Sequence, residues 1–168
     1  MAAVQAEALP KGALLERYRD AGAYTDCFVI TVPGTVTQAA FVRAFYTSWL
    51  FKMERFILTW AVNKPSSDRE AVVLTEHNVS GFAAWSVEDR TSNQLLMCDY
   101  QKRTRSWLMT EPLDGGTRTR LYFGSAVVPL RPDGKKDRAF GMVFIALVGF
   151  HKIYARGLLL AAAKNLSR

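Results

Sequence analysis

The side chains that could do chemistry are few and scattered. His151 and Tyr154 stand three residues apart near the C-terminus, a spacing that puts both on one face of a helix. Histidine titrates near neutral pH, so the pair reads either as an acid/base or ligand anchor aimed into a cavity, or as a histidine bonded to a backbone carbonyl at a sheet rim. Asp26 alternates with Tyr24 and Phe28 in a strand-like run, which places all three on one side by the period of two. A carboxylate on an apolar face has a raised pKa and can act as a base; on a solvated face it has no such role. Arg55 follows Glu54 in an otherwise apolar stretch beside Trp60, and can meet Asp26 or Glu88. Such an arginine–carboxylate pair serves structure or anchors an anionic ligand group. Trp85, Trp107 and Tyr122 occur once per strand candidate, as aromatic core or as cavity lining with one polar atom each. His77 lies in a polar run, TEHNVSG, and reads as solvated.

Other chemistries leave no trace. There is no Gly-rich phosphate loop, no nucleophile elbow around Gly124-Ser125, no paired histidines at metal spacing and no cysteine beside a histidine. The reading therefore includes no metal and no cofactor, and leaves catalysis open. Cys27 and Cys98 sit separately in apolar stretches, as small core residues of a reducing compartment do. The first fifteen residues hold Glu7 and Pro10 and no apolar run of signal-peptide length, which fits a cytoplasmic protein.

The elements that must position these residues follow from pattern. Of the chain's 168 residues, 49% are hydrophobic and 12% aromatic, which excludes a disordered chain and supports one domain with a real core. Residues 1–22 read as an arm or short helix and 23–168 as a single domain. Ala23–Val32 is a strand ending at the Pro33-Gly34 turn signal. From Thr37 to Val62 apolar residues recur every three or four positions, with Thr35 or Thr37 as cap. That is long for one helix, so two are expected, Thr37–Tyr46 and Leu50–Val62, broken at Thr47-Ser48. Ala71–Leu74 is a short strand or turn. Four strands follow: Phe82–Asp89, Asn93–Tyr100, Arg103–Glu111 and Arg118–Leu130. Pro112–Thr117 makes a hairpin loop, and Gly124 suggests a bulge. Ala139–Asn165 closes the chain as one long helix.

That helix also bears on partners. Residues 131–168 carry eight basic side chains against two acidic ones, while the chain as a whole is +7. The excess fits a solvated basic helix end or an anionic partner such as a membrane surface. The absence of zinc-finger spacing, aromatic RNA-binding strands and long basic runs argues against nucleic acid. The apolar run 139–150 stops at His151-Lys152, short of the ~20 residues a membrane span needs. Oligomeric state is not legible.

An antiparallel meander with one apolar face must be covered. The last helix is the element long and apolar enough to do so. The expected fold is therefore α+β, a curved antiparallel sheet wrapped around the C-terminal helix, in the order strand–helix–helix–meander–helix. This layout resembles the helix-grip fold of the START-like (SRPBCC) superfamily. The segments YTDCFVITVPG, AFYTSWLFKMERFIL, FAAWSVEDR, TRSWL, RLYFGSAVVP and GFHKIYARGLL are similar to an uncharacterised bacterial family of that type. The resemblance implies a cavity for an apolar or amphipathic small molecule or lipid. It equally admits an enzyme on the same scaffold, a cyclase, dehydratase or hydrolase. A third expectation, from the basic helix, is association with a membrane surface or another protein.

Overall fold

The computed structural model describes residues 3–53, 81–82, 85–128 and 138–167; for 81, 82 and 138–150 the description is of backbone alone. Arg55, Trp60, His77 and the segments 63–69, 71–74 and 131–137 lie outside the described residues.

The first helical stretch forms as its sequence dictates. Thr37 caps α2 (Gln38–Tyr46) by accepting from the Ala40 amide at 3.2 Å, while Thr35 turns away to donate to the Gly116 carbonyl. The helix stops at Thr47, and buried Ser48 recaps the chain by accepting from the Phe51 amide at 3.3 Å. The described part of α3, residues 49–53, begins there. Two hydroxyls side by side thus end one helix and start the next. A shorter helix, α1 (Glu16–Asp20), precedes them. The C-terminal helix, α4 (Arg138–Leu166), runs 29 residues, about 43 Å at 1.5 Å per residue.

Among the described residues seven strands form one antiparallel sheet in the order β1-β2-β7-β6-β5-β4-β3. They are β1 (Gln5–Ala6), β2 (Tyr24–Pro33), β3 (Gly81–Phe82), β4 (Trp85–Arg90), β5 (Gln94–Asp99), β6 (Thr104–Leu113) and β7 (Arg118–Val127). The last five form the meander, and β2 joins it beside β7 with Asp26 opposite Ser125. The β6–β7 hairpin turns through Asp114–Gly116, where Gly115 (φ 66°) and Gly116 (φ 92°) take the left-handed conformation.

Period two divides the sheet cleanly. On the inner face Phe28, Ile30, Met97, Leu108, Leu121 and Phe123 pack against Phe41, Phe45 and Tyr46 of α2 and Leu158, Leu159 and Ala162 of α4. Each large side chain buried this way contributes roughly 1.5–3 kcal/mol. This is the expected α+β arrangement, a sheet wrapped around the C-terminal helix. The outer face is covered too. Residues 9–18 lie across it, with Ala13 and fully buried Leu15 packed on Cys27, Val29, Leu96, Trp107 and Tyr122. Gln94 ties this stretch down: its Oε1 accepts from the Leu14 amide at 2.9 Å and the Trp107 indole at 2.8 Å, and its Nε2 donates to the Gly12 carbonyl at 3.1 Å. A cationic network adds to it. Arg105 donates to Glu88 and to the Tyr18 hydroxyl, and stacks 4.7 Å above the Tyr18 ring.

Gly124 does not make the expected bulge. It pairs in register with both Cys27 and Trp107. Its lack of a side chain answers crowding instead: a Cβ there would stand 2.8 Å from the Asp26 carbonyl oxygen and 3.0 Å from both Leu15 and Trp107. The irregularity falls in β4, where the register shifts between Val87 and Asp89. Among the described residues no helix is long and apolar enough to cross a membrane.

Candidate functional site

Where β2, β7 and α4 meet, three polar side chains come together on the inner face. Asp26 reaches this point because it shares the Phe28 side of β2; Ser125 shares the Phe123 side of β7; His151 arrives on the first described side chain of α4. The Asp26 Oδ1 accepts from the Ser125 amide at 3.0 Å and from the Ser125 hydroxyl at 2.7 Å. The Ser125 Oγ in turn lies 2.7 Å from His151 Nε2, and Nε2 lies 3.4 Å from Asp26 Oδ2. The Asp26 side chain is 8% exposed and that of His151 is 33% exposed. Tyr24, two residues along β2, donates to Asp26 Oδ2 at 3.5 Å. Burial, and then the Asp26 charge, push the Tyr24 phenol up to about 12.

Proton counting fixes the direction of this chain. A serine hydroxyl has one proton. If it goes to the carboxylate, Ser125 must accept from His151, so Nε2 carries the hydrogen. The sequence of bonds is then His151 Nε2–H to Ser125 Oγ–H to Asp26. A serine nucleophile needs the reverse, with its proton directed at an unprotonated imidazole nitrogen and the carboxylate behind the other ring nitrogen. Here serine and aspartate face the same nitrogen. The cluster is therefore a device for orienting the imidazole. Nothing among the described residues bonds Nδ1.

Next to this cluster is a cavity of about 210 Å³ between the sheet and α4. Phe45, Phe51, Phe123 and Leu158 give it apolar walls, and Ser125, His151, Tyr154 and Trp85 border it. The indole nitrogen of Trp85 is buried and has no hydrogen-bond partner among the described residues. Donor and acceptor groups thus sit in the wall of one small apolar space.

The sequence candidates divide accordingly. Asp26, Tyr24 and His151 converge, and Trp85, His151 and Tyr154 border the cavity. Trp107 and Tyr122 do not: they lie on the outer face under the N-terminal stretch, because they alternate with the inward-facing Leu108 and Phe123. The Tyr122 hydroxyl donates to Glu111, and its phenol is raised to about 12 by burial and by that bond. Glu88, a suggested partner for Arg55, is engaged by Arg105. Ser125 was missed. Its signal was its place one strand over from Asp26, which needed the strand pairing to be seen. Cys27 is buried, which pushes its thiol up to about 12 and makes it inert. Among the described residues no group of three His, Cys, Asp or Glu could hold a metal ion.

These features define an α+β protein whose sheet grips a terminal helix around a small, partly polar cavity. No family model matches the chain, and no curated protein matches it. A solved structure that aligns with it is the solution NMR structure of a protein from Arthrobacter aurescens, with 16% identity, 84% of this chain and 86% of that chain covered, and a TM-score of 0.39. A likeness of that degree carries no argument about function.

Proposed function

We propose that the protein binds a small amphipathic molecule in the cavity between the sheet and α4. The observation that carries the reading is the lining: aromatic and aliphatic walls, a buried indole N–H without a partner, and an imidazole whose orientation is set by Ser125 and Asp26. Ligand sites commonly have this make-up, a mainly apolar pocket with a few placed polar groups. At about 210 Å³ the cavity is below the ~300–1,000 Å³ of drug-sized sites, so the ligand is compact. Its polar end carries both a donor, for His151 Nδ1, and an acceptor, for the Trp85 indole. A hydroxyl or a primary amide meets both requirements. The arrangement is compatible with the helix-grip fold of the START-like superfamily, and membership of that superfamily is part of this proposal.

A second reading has one specific observation behind it. His151 borders the cavity and is held at Nε2 by Ser125, so in its neutral form Nδ1 would serve as a general base for a substrate placed within hydrogen-bond reach of it. Binding and catalysis then differ only in whether the guest has a proton that Nδ1 can remove.

The test is a ¹H–¹⁵N correlation titration with compact alcohols, amides and phenols. Shift changes should cluster at Ser106, Phe123, Ser125 and His151, and Ser106→Leu, which fills the cavity, should abolish them. Shifts spread over the surface, or unchanged in the filled variant, would refute the proposal.

A further inference from the structure

Among the described residues the charges are segregated between the two layers. Residues 35–53 and 138–167, which make up α2, the described part of α3, and α4, contain no aspartate or glutamate. They contain six cations: Arg43, Lys52, Arg138, Lys152, Arg156 and Lys164. The carboxylates among the described residues belong to the N-terminal stretch and the sheet, where Glu88, Asp89 and Glu111 hold outer-face partners. On this cationic side large apolar side chains stand in solvent. Trp49 is 63% exposed and Ile153 is 73% exposed, with Met53 close to them in exposure. Trp49, Leu50, Ile153, Gly157 and Lys164 are among the residues lining a groove of about 400 Å³ between α3 and α4. Gly157 packs closely on Leu50 here, and a Cβ at that position would stand 3.0 Å from the Leu50 side chain.

We infer that this helical face docks the protein on an anionic lipid bilayer. Two physical requirements of interfacial binding meet on one surface: a tryptophan with aliphatic neighbours to enter the headgroup boundary, and lysines and arginines to draw the face to negative lipid. A second copy of the chain does not fit, because a symmetric contact through this groove would set Lys164 of one copy against Lys164 of the other, with no carboxylate on the described part of this face to offset them. Nucleic acid does not call for exposed Ile153 and Met53. The inference is independent of the cavity reading, although Tyr154 borders both cavity and groove and places the two side by side.

The experiment is vesicle co-sedimentation of the full chain with phosphatidylcholine alone and with 30% phosphatidylserine. Binding should appear only with the anionic vesicles and fall steeply with added salt. Each cation near the surface is worth about fivefold in affinity. Lys164→Glu, which reverses one charge, should weaken binding by more than tenfold. Ile153→Ser and Trp49→Ser should each weaken it several-fold, and since both positions are exposed, their circular dichroism and melting should match the parent. Brominated lipid should quench the fluorescence of the parent and lose most of that effect in Trp49→Phe. The inference is overturned if the anionic vesicles leave the protein in the supernatant, or if the three variants bind as the parent does. It is equally overturned if soluble polyglutamate binds this face while vesicles do not, which would assign it to an acidic protein. A failed cavity titration leaves these outcomes unchanged, so the two proposals stand or fall separately.

Discussion

Asp26 gives the sharpest test of the cluster. Its carboxylate accepts both polar hydrogens of Ser125, and Ser125 is itself buried. In Asp26→Ala the backbone N–H of Ser125 loses its partner inside the protein, which costs about 1–3 kcal/mol. The emptied space adds a smaller term, for a total of about 2–4 kcal/mol. In a domain of this size each kcal/mol lowers Tm by roughly 2–4 °C, so a fall of about 5–15 °C is expected. Asp26→Asn keeps one oxygen in place to accept both hydrogens and should cost under about 1 kcal/mol. The same variant reports on the proton direction. Without the carboxylate, the Ser125 hydroxyl is free to rotate toward His151 Nε2, and the imidazole hydrogen moves to Nδ1. Long-range ¹H–¹⁵N spectra of the imidazole distinguish the tautomers: Nε2–H in the parent and Nδ1–H in Asp26→Ala. The reasoning fails if Asp26→Ala melts within a degree of the parent, if Asp26→Asn is as damaging as Asp26→Ala, or if the parent already carries its hydrogen on Nδ1.

Other expectations follow from the same contacts. Tyr24, Tyr122 and Cys27 all hold their protons more tightly when folded, with pKa values near 12 against 9–10 for the ordinary groups. At alkaline pH the unfolded chain therefore binds fewer protons, and stability should be intact below pH 9 and fall as pH rises toward 12; ultraviolet titration of the phenols with parallel melting curves checks this. Asp26→Asn should lower the Tyr24 midpoint and leave that of Tyr122 in place. Gly124→Ala should cost about 1–3 kcal/mol, since its Cβ meets a backbone oxygen that cannot yield, whereas Gly157→Ala meets only the end of Leu50 and should cost less; urea unfolding ranks the two. Gln94→Leu strands the Trp107 indole N–H and frees the Leu14 amide, so a loss of about 1–3 kcal/mol should be accompanied by faster amide exchange around residues 12–15.

The strands and helices were legible wherever a local pattern decided them. Alternation and turn residues marked β2 and β5–β7 to within two or three residues at each end. Adjacent Thr47 and Ser48 showed the helix break, because side-chain capping is a local event. What depends on pairing was not legible. Trp107 and Tyr122 alternate as regularly as Leu108 and Phe123, and period two alone does not say which set faces the helices. Residues 9–18 lack a strong pattern of their own, and their place on the sheet follows from Gln94 and from a pocket for Leu15 that exists only once the strands are side by side. With that cover in place, both sheet faces are apolar and the usual contrast between wet and dry sides is lost. Asp26 and His151 were singled out by type. Ser125, 99 residues from Asp26, entered through register, and serine is too common for its presence to raise suspicion.

The central place of β7 in the sheet bears on how this protein behaves at high concentration. β7 (Arg118–Val127), apolar and rich in β-branched and aromatic residues, is paired over its full length on both edges, with β2 on one side and β6 on the other. One of the segments best suited to seed a fibril thus offers an incoming chain no free row of amides and carbonyls.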